Sequence, residues 1–149
     1  MILDSEGLFS DAQDLAGISA ATASTNYIDM TATERQVGTG EPVKIFANVD
    51  TAMTASAITI TIKVEVDDNT SFSSAKTLAT FPVFSGAAGV PAGTIKYVTL
   101  PGGAEATERY MRLTYTPSAG LTTGAFTAGI IHDEDGQRQL PSGFAISGS

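Results

Sequence analysis

The sequence predicts an all-β chain, a single-domain antiparallel β-sandwich with jelly-roll topology as the favoured version, and three observations carry that expectation. Apolar residues recur at every second position through several short stretches, which is the period of a strand and not of a helix. Prolines gather at the boundaries of those stretches, where a missing amide hydrogen does not interrupt the ladder. Threonine, alanine and 15 glycines are prominent, a mixture that suits strands joined by tight turns. At 149 residues, 42% of them hydrophobic, the chain is long enough to bury one core without disulfides or metals.

Alternation is clearest over residues 57–67. Ile58, Ile60, Ile62, Val64 and Val66 take every second place there, and Thr59, Thr61, Lys63, Glu65 and Asp67 fill the others. One face of this strand is an aliphatic stripe and the other is wet. Lys63, central on the wet face, reads as a charge that discourages edge-to-edge aggregation. The pattern recurs where Val43, Ile45, Ala47 and Val49 alternate with Lys44, Phe46, Asn48 and Asp50. It recurs again where Met111, Leu113 and Tyr115 alternate with Tyr110, Arg112 and Thr114. Weaker strands are expected over 27–30, 77–81, 95–100 and 126–132. In the last, adjacent Ile130 and Ile131 leave the inward face open, and Gly129 reads as a bulge or a close backbone approach. Pro42 precedes a strand, whereas Pro82, Pro101 and Pro117 each follow one. The glycine- and alanine-rich run 85–93 reads as an exposed, mobile loop. Residues 7–23 show no clear period. The expected division is therefore an N-terminal arm over 1–25, the sandwich over 26–135 and an irregular C-terminal tail over 136–149. On that division, removing residues 1–13 leaves the sandwich folded.

The formal net charge is -8. Such a surface repels phosphates, so no direct nucleic-acid partner is expected. Asp4, Glu6, Asp11, Asp14, Asp29 and Glu34 precede the first basic residue, Arg35. This acidic stretch either docks on a basic partner or simply solvates the chain. No apolar run approaches the roughly 20 residues of a membrane span, and the first residues lack the pattern of a secretory leader. No membrane partner is expected, and synthesis belongs in the cytoplasm.

Catalytic chemistry finds little support. With no cysteines, thiolate zinc sites and cysteine nucleophiles are excluded. His132 is the one histidine, and no Gly-x-Ser-x-Gly elbow accompanies it. Asp133-Glu134-Asp135-Gly136 echoes a calcium loop but lacks its remaining ligands, and reads as a solvated acidic turn. Glu65, Asp67, Asp68 and Asn69 read as a strand running out into a polar turn. Gly38-Thr39-Gly40-Glu41-Pro42 has no lysine and so is no phosphate loop. Sugar sites favour aromatic platforms, yet there is no tryptophan and only 7% of the residues are aromatic. The expectation is a protein that is not an enzyme and has no catalytic residue, metal or cofactor.

The two ends carry the sharpest motifs. Leu8-Phe9-Ser10-Asp11-Ala12-Gln13 is followed by a small-residue stretch over 20–26 and by Tyr27-Ile28-Asp29. Pro141-Ser142-Gly143-Phe144 stands near the finish, with Gly38-x-Gly40-Glu41-Pro42-Val43, Ser71-Phe72-Ser73 and Arg109-Tyr110-Met111-Arg112-Leu113-Thr114-Tyr115 between them. In this order the chain resembles the capsid cement, or decoration, proteins of short-tailed bacteriophages. The resemblance covers almost the whole length, through short motifs whose order and spacing count more than any one of them. It implies a jelly-roll homotrimer on the outer surface of the virion, where it clamps neighbouring copies of the major capsid protein around three-fold and local three-fold positions. Leu8, Phe9, Ser10, Asp11, Ala12, Gln13, Pro141, Ser142, Gly143 and Phe144 match the terminal motifs and become candidates for capsid or inter-subunit contacts. The competing assignment has Leu8, Phe9 and Phe144 completing the protein's own core. A second class of function, a carbohydrate- or receptor-binding sandwich whose acidic turns hold calcium, fits the same fold.

Overall fold

Every stretch that alternates in the sequence becomes a strand. The computed structural model describes residues 5–30, 43–100 and 108–131. After one 3-10 turn at Ser5–Gly7, the chain forms β1 (Leu8–Asp14), β2 (Thr22–Ala23), β3 (Ile28–Asp29), β4 (Lys44–Thr51) and β5 (Thr59–Asp67). There follow β6 (Lys76–Thr80), β7 (Phe84–Ser85), β8 (Ile95–Thr99), β9 (Tyr110–Pro117) and β10 (Ala125–Ile131).

All strand pairs are antiparallel. The first sheet runs β1-β10-β4-β8. In the second, β9 and β5 lie side by side; β2 and β3 share the outer side of β9, and β6 and β7 share the outer side of β5. With each interrupted pair taken as one strand, both sheets are four strands wide among the described residues.

Alternation explains which faces meet. Pairing sets Ile62 opposite Tyr115, Val64 opposite Leu113 and Val66 opposite Met111, so the apolar places of β5 and β9 fall on one side. Against them pack Ile45, Ala47 and Val49 of β4 and Phe126, Ala128 and Ile130 of β10, all buried. The Phe126 ring joins the two layers, 5.3 Å from Phe84 edge-on and 5.6 Å from Tyr115. Aromatic pairs in this range add about 0.5–1.5 kcal/mol beyond the area they bury. The result is an all-β sandwich.

The inward face of β10 is thus Phe126, Ala128 and Ile130, which puts Ile131 on the other face. Gly129 shares that outer face, and a side chain there would lie 2.8 Å from Leu8 Cδ2 and 2.9 Å from the Gly7 carbonyl oxygen. Gly129 is a close approach of backbones, and Phe46 also crowds it.

Three expectations need correction. The segment expected as an arm over 1–25 does not stand apart from the sandwich where it is described, over 5–25. Leu8–Asp14 is a strand of the first sheet and Thr22–Ala23 a strand of the second. The run 85–93 is not simply exposed loop, because Val90 is buried and bonded both ways to the Met53 backbone at 2.9 Å. Lys63 cannot guard an edge, since β5 is an inner strand. Lys96 fits that role. It lies on β8, at the margin of the first sheet, donates from Nζ to the Val83 carbonyl at 2.7 Å and sits 5.2 Å over the Phe84 ring. An inward-turned charge on a marginal strand hinders edge pairing. The tail over 136–149 lies outside the described residues.

Candidate contact surface

The N-terminal candidates sit on β1, and an irregular register decides what each one does. Leu8 pairs with Gly129 and Ser10 with Ala128; after a shift, Gln13 pairs with Phe126 and Asp14 with Ala125. The extra residues bulge outward. Ala12 adopts a φ of 44° there, and its amide donates to Thr127 Oγ1 at 2.9 Å.

The bulge lets Phe9 and Ser10 both reach the interior, and both are fully buried. Ser10 Oγ donates to Gln13 Oε1 at 2.6 Å and lies 2.8 Å from the Tyr115 hydroxyl. Serine has a single hydroxyl hydrogen, which Gln13 accepts, so Tyr115 is the donor to Ser10. Burial pushes the Tyr115 pKa up, the bond to Ser10 working against that, and the phenol stays protonated to donate. Gln13 extends the network. Its Oε1 accepts from the Thr25 amide at 2.9 Å and its Nε2 donates to the Ala23 carbonyl at 3.0 Å. The Asn26 amide donates to the Phe9 carbonyl at 2.9 Å.

Each candidate now has a place. Phe9 and Ser10 complete the core, Leu8 is half-buried over Gly129, and Gln13 ties β1 to β2 and to the loop after it. Asp11 and Ala12 are exposed on the bulge, as is Asp14 beyond them. Pro141, Ser142, Gly143 and Phe144 lie outside the described residues, as do His132 and the acidic run after it.

A second surface forms where motifs from the middle of the chain converge. The side chains of Tyr110, Arg112 and Thr114 leave β9 on the outer face of the second sheet, opposite the buried Met111, Leu113 and Tyr115. Arg112 donates from Nε and Nη2 to Glu65 Oε2 at 3.0 and 2.9 Å, and Thr114 Oγ1 donates to the same oxygen at 2.8 Å. The Arg112 guanidinium lies 4.3 Å over the ring of Phe72, which the turn after β5 brings back across the sheet. Arg109 donates from Nε to both Asp29 oxygens, at 3.1 and 3.2 Å, and from Nη2 to Oδ2 at 2.8 Å. Its guanidinium sits 5.0 Å over Tyr110. Tyr27 stands edge-on to Tyr110 at 5.5 Å, with Phe72 at 6.4 Å, and is 50% exposed. Beside this surface Lys76 pairs with Glu108.

Sequence reasoning singled out 27–29, 71–73 and 109–115 as motifs but not as neighbours. The alternation of β9 marks which residues face outward. Their meeting depends on cross-strand register, which a single sequence does not display. Among the described residues no group of three or more His, Asp or Glu side chains is placed to hold a metal ion, and no helix is long and apolar enough to cross a membrane. The sequence model of a family described as Bbp16 matches residues 9–130. A search of curated proteins gave no match.

Proposed function

The chain belongs to the Bbp16 family, and on that premise, with the resemblance of its ordered motifs to capsid cement proteins, we propose that it is a structural virion protein decorating the outside of a bacteriophage head. In this reading it clamps adjacent copies of the major capsid protein and acts as a homotrimer. The observation that carries the proposal is the strand order. With β2 and β3 counted as one strand, β6 and β7 as another, and the described strands renumbered one to eight along the chain, the sheets run 1-8-3-6 and 2-7-4-5. That order is compatible with the two interleaved Greek keys of the jelly roll that the resemblance implies.

The form of β1 supports the same reading. A loose arm costs about 1–2 kcal/mol of backbone entropy for each residue ordered on binding. The bulge at Asp11 and Ala12 is already held by the sheet, so that cost does not arise. Two small side chains nevertheless offer little contact area. Several linked copies make later contacts intramolecular and raise the effective concentration, which is how a trimer turns weak contacts into firm attachment. The acidic residues Glu6, Asp11 and Asp14 suit a basic partner face.

Sedimentation equilibrium tests the assembly, and co-sedimentation with expanded phage heads tests the partner. A trimer retained by heads is expected. Retention should weaken as salt rises, because exposed charges are screened beyond about 10 Å at 0.1 M. Asp11→Lys should weaken it further without unfolding the domain. A monomer that ignores heads would falsify the proposal.

A further inference from the structure

The converging surface on the second sheet has no part in the contacts assigned to β1. Three properties of it point to a ligand. Tyr27 presents half of its side chain to solvent, and its orientation is fixed by Tyr110 and Phe72 beside it. Arg109, stacked over the neighbouring Tyr110 ring, is locked as well. It is bound to Asp29 through both Nε and Nη2, an arrangement that holds the fork flat and leaves further N–H groups directed elsewhere. Each of the two arginines faces a carboxylate, Arg109 with Asp29 and Arg112 with Glu65.

We propose that Tyr27, with Arg109 and the Tyr110 hydroxyl, forms a binding site for a neutral saccharide, a pyranose ring stacking on Tyr27 while its hydroxyls bond to the Arg109 fork. A pyranose has an apolar C–H face and a rim of hydroxyl groups. It therefore needs an aromatic plate with planar, pre-oriented hydrogen-bonding groups at its edge. Both are fixed before the ligand arrives, so little ordering entropy is lost on binding. A carboxylate at each arginine disfavours a strongly anionic ligand. Against a protein partner stands the lack of an aliphatic anchor. The other large exposed hydrophobic residues among those described are Val83, Ile95 and Tyr97. Ile95 and Tyr97 belong to β8 of the first sheet, and Val83 is bonded to that strand through Lys96. The inference concerns the free chain and is independent of any phage head.

The chain has no tryptophan and four tyrosines, so Tyr27 and Tyr110 supply two of the four fluorophores behind its intrinsic emission. The full chain would be titrated with methyl glycosides of glucose, galactose, mannose and N-acetylglucosamine and with their β-1,4-linked tetramers. Tyrosine fluorescence and saturation-transfer NMR would give the readouts. Saturable binding to at least one of these sugars is expected, with a dissociation constant on the order of millimolar. Tyr27→Ala should weaken it roughly tenfold or more, as loss of a hot-spot residue does. Arg109→Lys, which keeps the charge and loses the fork, should weaken it several-fold. Tyr97→Ala, on the other sheet, should leave it unchanged. Far-UV circular dichroism would establish that each variant is folded. Absence of saturable binding across the panel, or binding indifferent to Tyr27→Ala, overturns the proposal. If Tyr27→Ala instead loses retention by heads while the parent protein binds no sugar, the surface is a protein contact and the saccharide site is refuted.

Discussion

Phe9 and Asp11 stand two places apart on one strand, yet truncation should affect them very differently. Phe9 is fully buried, and its replacement by alanine leaves a cavity between the sheets, at a cost of about 3–5 kcal/mol. Asp11 is exposed on the bulge, so Asp11→Ala should stay within about 0.5 kcal/mol. Chemical denaturation of the two variants separates these outcomes. Asp67 acts by other means. It is 2% exposed and accepts from the Ser74 amide and hydroxyl at 2.8 and 2.9 Å, from the Asp68 amide at 2.7 Å and from Asn69 Nδ2 at 3.0 Å. Burial works to raise its pKa, but the bonds from Ser74 and Asp68 outweigh it and bring the value down from 3.8 to about 2. A carboxylate with a lowered folded pKa adds stability above its unfolded value and loses it as the pH falls through the folded one. For Asp67 that window runs from about pH 4 down to about pH 2. Denaturant midpoints followed across it should fall more steeply for the parent chain than for Asp67→Asn, which has no proton to gain there. Equal slopes would remove Asp67 from the acid response.

At the scale of elements, the margins of the sheets matter most. Lys96 turns inward on β8 and caps Phe84. Lys96→Leu removes that charge and is expected to raise light scattering at high concentration through edge pairing, with the native spectrum retained. Elements also differ in how far a single sequence discloses them. β4, β5 and β9 are inner strands with one apolar and one mostly polar face, so period two shows plainly along each. β1 is hidden because its bulge sends Phe9 and Ser10 to the same side and breaks the period. β2 and β7, two residues each, are too short to display any period. β3 is equally short, but Ile28 marked it. The Tyr27 surface stays concealed for a further reason. Its members come from β3, β9, a turn and a loop, and the spacing between them is set by pairing and not by sequence separation.

For the whole molecule, the position of β1 changes what a truncation should do. Deleting residues 1–14 removes Phe9 from the core, leaves the Tyr115 hydroxyl without Ser10 and turns β10 into a sheet margin. Such a chain is expected to lose its cooperative thermal transition in circular dichroism. A sharp transition within a few degrees of the parent's would return the segment to the status of an arm. The strand order also constrains how the chain comes to be folded during synthesis. β10 lies between β1 and β4, and it is the last of the described strands to be translated. Until residue 131 leaves the ribosome, among the described strands β1 has no neighbour in its sheet and β4 has β8 alone. Closure of the first sheet must wait until residue 131 has been made, so the backbone edges of β1 and β4 that face β10 stay unpaired over the more than 70 residues between β4 and β10. Such long-range pairing folds slowly, and a delay of this kind is when a chaperone would find its target.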